Sequence, residues 1–136
     1  MKTKAFLPCL VLFTLFVAGC SKYEEGPAFS LRSKTARLAN EWKVEAFLIN
    51  GVDQTASISG ENYLETFDKD GNYSFKSASG DGTGKWEFQE DKEQIKVSGV
   101  DSQSSETYFI LKLKEKEFWY YVMDGGERYE FHMTEN

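Results

Sequence analysis

The sequence has 136 residues, of which 16 are basic and 22 acidic, and its formal net charge is −6 at pH 7. This length suits a single domain. The acidic balance argues against nucleic acid as a partner and against a polybasic grip on anionic lipid. Aromatic residues make up 15% of the chain, which is far from the composition of a disordered protein.

The N-terminus has the pattern of an export signal. A short cationic start precedes an uncharged, mostly apolar run over residues 5–17. A bilayer-spanning helix needs roughly 20 apolar residues, so this shorter run is typical of a signal peptide. The next residues, Val-Ala-Gly-Cys at 17–20, resemble the lipobox of bacterial lipoproteins. We expect residues 1–19 to be a cleaved signal peptide and Cys20 to carry the lipid. The alternative is an ordinary signal peptide with a chance cysteine.

The chain left after cleavage would be more acidic than the whole. Loss of the two lysines at positions 2 and 4 leaves 14 basic against 22 acidic residues, a net charge of −8. Cys9 would be removed and Cys20 acylated, so no disulfide would form. Residues 20–29 are predicted to be a lipidated tether. Its acidic residues resemble the surface-export signal of lipoproteins from the Bacteroidota, with a solvated linker as the alternative. We expect an outer-membrane lipoprotein of the cell envelope, facing outward or toward the periplasm.

The rest of the chain predicts a barrel. Residues 30–39 could form a helical turn capped by Ser30 or Ser33. Short strands with turn residues between them follow, at 41–49, 62–68, 72–77, 84–89, 94–98, 106–113, 117–123 and 128–134, with a further candidate at 54–59. Tight joints and the lack of a crossover helix favour an up-and-down meander, and closure would remove its exposed edges. The predicted fold class is all-β, an eight-stranded antiparallel barrel over residues 30–136.

Two of the predicted strands, 106–113 and 117–123, are apolar on both faces. A strand of a simple barrel should have a polar, solvent-exposed outer face. This pair therefore either lies under another element, such as the turn at 30–39, or exposes an aromatic patch. Exposed apolar patches of large size usually mark binding surfaces.

Several stretches resemble one known family. Residues 38–44, 50–53, 64–73 and 84–88 are similar to the small lipocalin-like lipoproteins of the Bacteroidota, and the resemblance covers 30–136. It implies a lipocalin-like barrel that binds small apolar molecules. Asn40-Glu41-Trp42 stands where lipocalins carry Gly-x-Trp, so the resemblance implies that Trp42 plugs one barrel end. Asn replaces the Gly, and Arg128 is the candidate for the family's basic partner to that Trp.

The motifs that could carry chemistry have simpler explanations. His132 is the only histidine and is expected on a wet strand face. The serines lack a Gly-x-Ser-x-Gly elbow. The Gly-rich segment 80–84 precedes a strand rather than a helix, so it is predicted to be a flexible hairpin loop rather than a phosphate loop. The segment 68–72 is predicted to be a β-turn rather than a calcium loop. We therefore expect no enzyme, no cofactor and no metal.

Two functions remain open. In the first, a small site at a barrel mouth binds an apolar or amphipathic molecule, with the rest of the interior filled by aromatic side chains. The residues expected at that site are Tyr108, Trp119, Tyr121, Tyr129 and Phe131. In the second, the chain is an interaction or structural lipoprotein whose aromatic face docks a partner protein or a glycan. The discriminating feature is whether Trp119 and Tyr121 point inward or outward relative to Phe118 and Tyr120.

Overall fold

The computed structural model describes residues 32–101 and 104–136. Its elements are α1 (Lys34–Leu38), β1 (Glu41–Ile49), β2 (Val52–Asp53), α2 (Thr55–Ile58), β3 (Leu64–Phe67), β4 (Asn72–Ser77), β5 (Gly80–Gln89), β6 (Gln94–Ser98), β7 (Ser105–Leu113), β8 (Glu117–Asp124) and β9 (Glu127–Glu135). Within these ranges no helix has the length and apolar character needed to cross a membrane. The predicted signal peptide, tether and lipid site at Cys20 lie outside the described residues.

The strands form one antiparallel meander that closes on itself. Each strand from β3 to β8 pairs with the next, and β1 joins the two ends of the series by pairing with both β3 and β9. Two strands pair with the same edge of β1. Residues 41–43 of β1 pair with β3, and residues 48–49 pair with the short strand β2. The eight-stranded barrel predicted from the sequence is therefore confirmed, with β2 as an addition at one seam.

The candidate strand at 54–59 is wrong, because this segment contains the helical turn α2. Asp53 explains the change of conformation. Its carboxylate accepts hydrogen bonds from the backbone N–H of Thr55, at 2.8 Å, and from the Thr55 hydroxyl, at 2.6 Å. Such a local side-chain bond turns the backbone away from the strand conformation.

The predicted hairpin loop at 80–84 is also wrong, because β5 begins at Gly80 and pairs with β4 from Ser77 onward. Its glycines serve close packing. A Cβ atom on Gly82 would lie 2.6 Å from the Phe75 ring, and one on Gly84 would lie 2.4 Å from the Ser98 carbonyl oxygen. Glycine inside a strand often marks such an approach of neighbouring groups.

One end of the barrel is closed by α1, which the sequence predicted as a helical turn. The Ser33 hydroxyl caps it by accepting a hydrogen bond from the Ala36 N–H at 3.0 Å. Leu38 and Trp42 are completely buried, and the Trp42 indole N–H donates to the Leu38 carbonyl at 2.9 Å. Trp42 therefore lies at a barrel end, packed against Phe118 with 5.6 Å between ring centroids.

Arg128 is not the basic partner of Trp42. Trp42 pairs with Glu135 near the end of β9, whereas Arg128 pairs with Met123 near its start, at the opposite end of the barrel. A buried basic side chain at the closed end is Arg37 of α1, whose guanidinium donates to the Leu113 carbonyl at 3.1 Å.

Candidate functional site

A carboxylate lies in the middle of the aromatic interior. Glu65 occupies β3, where it alternates with Leu64 and Thr66 and shares the inward face with Phe67. Its side chain has no exposed surface. Burying an ionisable group without partners costs several kcal/mol, so such a residue must find hydrogen-bond donors.

Four tyrosine hydroxyls supply those donors, and we call the five residues the Glu65 network. Oε1 of Glu65 accepts from three of them and Oε2 from the fourth, with oxygen–oxygen distances of 3.0 Å for Tyr63, 2.8 Å for Tyr73, 2.9 Å for Tyr108 and 3.0 Å for Tyr120. The hydroxyls of Tyr73 and Tyr108 are also 3.1 Å apart. The network joins β3 and β4 to β7 and β8 across the barrel interior.

Burial controls the protonation of this network. Desolvation raises the pKa of Glu65 above its ordinary value of 4.5, although the hydroxyl donors act in the opposite direction. Desolvation first, and then the charge of Glu65, raise the pKa of all four phenols. The phenols therefore stay protonated and act as donors at physiological pH.

The open end of the barrel holds a cleft beside this network, which we call the mouth cleft. Its volume is about 220 Å³, and its lining residues are Tyr63, Glu106, Tyr108, Tyr120, Val122, Asp124, Tyr129 and Phe131. Three of the lining tyrosines also belong to the Glu65 network. The volume is below the roughly 300 Å³ at which ordinary small-molecule pockets begin, in line with the expectation of a small site in a filled barrel.

One wall of the mouth cleft is a stack of rings. Tyr108 and Tyr120 are nearly parallel, with 4.2 Å between centroids and 3° between planes. Phe131 continues the stack on the other side of Tyr120, at 5.2 Å and 19°. Tyr120 and Phe131 are direct cross-strand partners of β8 and β9. Because the hydroxyls of the first two rings are fixed by Glu65, this wall is held rigid.

The structure brings together Tyr108, Tyr129 and Phe131 of the predicted site residues, but not Trp119 and Tyr121. These two point outward, since they alternate with the buried residues Phe118, Tyr120 and Val122 along β8. The expectation that they line the same mouth is therefore corrected.

Trp119 and Tyr121 belong to a band on the outside of the barrel, which we call the outer strip. Lys112 lies over the Trp119 ring, with Nζ 3.4 Å from its centroid, and the His132 ring stacks on it at 3.8 Å. Arg128 lies over Tyr121 at 4.0 Å. The strip consists of Phe109, Lys112, Trp119, Tyr121, Arg128, Glu130 and His132.

Charge pairs tie the outer strip together. Glu130 accepts from Arg128 at 2.8 Å and lies 2.7 Å from the His132 ring nitrogen. Lys112 reaches the strip because a β-bulge between Ile110 and Lys112 shifts the alternation of β7. The outward face of β7 and β8 is thus aromatic, as the sequence indicated, but it is half-buried under its own cations.

Two larger clefts lie on the outer surface. One, of about 320 Å³, lies at the seam where β1 and β3 part, and exposed residues such as Lys43 and Ser59 line it. The other, of about 530 Å³, crosses β3, β4 and β5 beside Lys85. Neither is an interior cavity. Each of these two clefts is lined by a single aromatic residue, Tyr63 in the first and Tyr73 in the second. The mouth cleft differs because five aromatic rings and several groups with raised pKa values converge there, which is characteristic of functional sites.

Sequence reasoning missed the centre of this arrangement. Glu65, Tyr63, Tyr73 and Tyr120 were not among the predicted site residues. The available signal was Glu65 itself, an acid on the inward face of an alternating strand. Its four partners could not be paired with it, because two of them lie 43 and 55 residues away along the chain.

The sequence model of the lipocalin-like domain family matches residues 38–120, which is more than half of the chain. The chain belongs to the lipocalin-like domain family. The matched part of this lipocalin-like domain contains the buried Trp42 at the closed barrel end and all of the Glu65 network. The strand that closes the barrel, β9, lies beyond the matched residues. A search of curated proteins gives no match.

The pKa shift of Glu65 predicts how stability changes with pH. Because the folded chain holds this proton more tightly than the unfolded chain, its contribution to stability is present below about pH 4.5 and is lost as pH rises toward the folded-state pKa. Glu65→Gln removes the titrating group. We expect the unfolding free energy of the wild type, minus that of the variant, to fall as pH rises from 4.5, as measured by urea unfolding.

The exposed Glu87 on β5 provides the matched control, because Glu87→Gln should leave the pH dependence of the wild type unchanged. The opposite result, a difference in unfolding free energy between wild type and Glu65→Gln that grows with pH, would contradict this prediction. It would show that the hydroxyl donors lower the pKa of Glu65 by more than desolvation raises it. Glu65→Ala should also cost at least about 3 kcal/mol, since it leaves several buried hydroxyls without an acceptor.

Proposed function

We propose that the chain is a non-enzymatic binding lipoprotein whose mouth cleft takes a small apolar or amphipathic molecule. The observation that carries this proposal is the cleft itself, with a rigid stack of three rings on one wall and carboxylates at its rim. Membership of the lipocalin-like domain family agrees with small-molecule binding, but a fold alone is a weak argument for function. The geometry of the cleft is the stronger support.

The lining chemistry favours an amphipathic ligand. Val122 and Phe131 offer only apolar surface, whereas Glu106 and Asp124 offer carboxylates. The hydroxyl of Tyr129 is held at the rim by Glu127 at 2.7 Å. A ligand with an apolar body and one polar end matches this division.

The state of the titratable groups favours binding over catalysis. The phenols beside the cleft have raised pKa values, so they are poor bases and poor nucleophiles at physiological pH. Glu65 is enclosed by their hydroxyls and is not part of the cleft lining. We therefore propose that the site binds its ligand without transforming it.

The outer strip supports a second candidate function, docking of a partner protein or a glycan. Trp119 and Tyr121 point outward, which is the orientation expected for such a role. Lys112 and Arg128 already lie over their rings, however, so a partner would have to displace these cations or bind around them. The mouth cleft has the better-formed surface and remains the first proposal.

A matched pair of tyrosines tests the binding proposal. Tyr129→Ala removes a ring that lines the mouth cleft, whereas Tyr121→Ala removes an equally half-buried ring from the outer strip. With 2-phenylethanol as a neutral probe, we expect saturable NMR shifts of the cleft residues. Tyr129→Ala should weaken binding about five-fold, as loss of one aromatic contact implies, and Tyr121→Ala should leave it unchanged.

Equal weakening by the two variants would move the site away from the mouth cleft. Absence of saturable binding both with this probe and with charged compounds of the same phenyl body would reject the binding proposal. If only Tyr121→Ala weakens binding of the probe, the outer strip rather than the mouth cleft would be the favoured binding site.

The membrane anchor is proposed on the N-terminal sequence. Residues 1–19 would be removed, Cys20 would carry the lipid, and 20–29 would form the tether of an outward-facing outer-membrane lipoprotein. The position of α1 fits this arrangement, because the chain enters the domain at the closed end of the barrel, opposite the mouth cleft. A domain tethered at that end would present its mouth away from the membrane.

Cys20→Ala tests the anchor. We expect the wild type to incorporate a fatty-acid analogue and to fractionate with membranes, and the variant to do neither, because only the Cys20 thiol would be available for acylation. Protease treatment of intact cells should digest the wild-type protein if it faces outward. Continued labelling of the variant would contradict lipidation at Cys20, and full protection until lysis would place the protein in the periplasm.

A further inference from the structure

We propose that the mouth cleft selects small molecules that carry a positive charge next to an aromatic or short alkyl body. This inference rests on the proposed function and goes further, because it names the chemical class of the ligand. It is carried by three features of the cleft: two carboxylates that have no cationic partner among the described residues, aromatic faces over which no described cation lies, and a size that fits a single ring.

The first feature is the pair of carboxylates at the rim. Glu106 of β7 and Asp124 of β8 both line the cleft. Desolvation, and then the negative charge of Asp124, raise the pKa of Glu106. Within residues 32–101 and 104–136, neither carboxylate forms an ion pair with a basic side chain. The two negative charges therefore repel each other, and a cation between them would relieve that repulsion.

The second feature is the aromatic lining. A cation within about 6 Å of a ring centroid is attracted by the ring face, and the attraction grows when water is excluded. The outer strip already uses this interaction, because Lys112 lies over Trp119 and Arg128 over Tyr121. In the mouth cleft the described lining contains rings and carboxylates but no basic residue. In the outer strip the chain itself supplies the cations that lie over the rings. In the mouth cleft a ligand would have to supply the cation.

The Glu65 network adds hydrogen-bond acceptors on the inner side. Tyr63, Tyr108 and Tyr120 use their protons to donate to Glu65. Each phenol oxygen keeps lone pairs, whereas an ammonium group has donors only. Donation to a carboxylate also polarises the hydroxyl and makes its oxygen a better acceptor. The inner wall is thus suited to a donor on the ligand rather than to an anion.

The third feature is size. At about 220 Å³ the cleft is too small for a lipid and fits one ring or a short chain with its charged group. The net charge of −8 expected for residues 20–136 would also raise the local concentration of cations. Size and charge together point to small aryl or alkyl ammonium compounds.

Three probes with the same phenyl body separate charge from shape. They are 2-phenylethylammonium, neutral 2-phenylethanol and anionic 3-phenylpropanoate, each titrated into the purified full chain by calorimetry or NMR. We expect the ammonium compound to bind at least about ten-fold more tightly than the alcohol, as a partly desolvated cation beside rings and carboxylates should. The anion should bind most weakly.

The double variant Glu106→Gln with Asp124→Asn tests whether the rim causes this preference. It should reduce the preference for the ammonium compound over the alcohol at least about three-fold, because only the ring faces and phenol oxygens then attract the cation, and it should leave the affinity for the alcohol unchanged. The matched control is Glu87→Gln with Asp81→Asn, two exposed acids on β5 that do not line the cleft. This control should keep the full preference.

The outcomes separate the inference from the function on which it rests. Equal binding of ammonium compound and alcohol by the wild type would overturn the charge selection and leave the binding proposal standing. Tightest binding of the anion would overturn it as well. An undiminished preference in the rim variant would show that the carboxylates do not select the charge and would overturn the inference. Absence of binding by all three probes would reject both the inference and the proposed function.

Discussion

The rest of the interior depends on one interaction: the buried carboxylate of Glu65 accepts hydrogen bonds from four tyrosine hydroxyls. A carboxylate without donors could not remain inside this barrel, and four buried hydroxyls without an acceptor would each cost about 1–3 kcal/mol. Each side of the arrangement therefore requires the other. The network also joins walls that are distant in the sequence, since Tyr120 lies 55 residues from Glu65.

The same network shapes the mouth cleft. Hydroxyls anchored on Glu65 fix the ring planes of Tyr108 and Tyr120, and Phe131 packs on the stack that they form. A wall held in this way needs little ordering when a ligand arrives, which favours binding. At the other end, Trp42 and α1 close the barrel with buried apolar surface. One end is thus a plug and the other a small polar-rimmed opening.

Much of the fold could be predicted because strand alternation and turn residues are local signals. The eight strands, their meander order and the capped helical turn before β1 follow from such patterns. The errors arose where a contact decided the conformation. Gly82 and Gly84 resemble loop residues until Phe75 and Ser98 are seen to leave no room for a Cβ atom. The segment after Asp53 turns into a helix because one carboxylate captures Thr55.

The candidate site was predictable only in part for the same reason. The aromatic residues of β7, β8 and β9 stand out in the sequence, but only barrel closure brings Tyr108, Tyr129 and Phe131 to one cleft. The sequence leaves open which way Trp119 and Tyr121 point, and the alternation of buried residues along β8 puts both outside the barrel. The Glu65 network depends on four strands at once, and no single stretch of sequence reveals it.

Alkaline titration of the tyrosine absorbance tests the Glu65 network most directly. The chain has seven tyrosines, and four of them donate to Glu65. Burial and the charge of Glu65 raise the pKa of these four. If Glu65 holds these four hydroxyls, at most three phenols ionise reversibly while circular dichroism reports a folded chain, and the others ionise only with unfolding. Reversible ionisation of more than three phenols in the folded chain would contradict it.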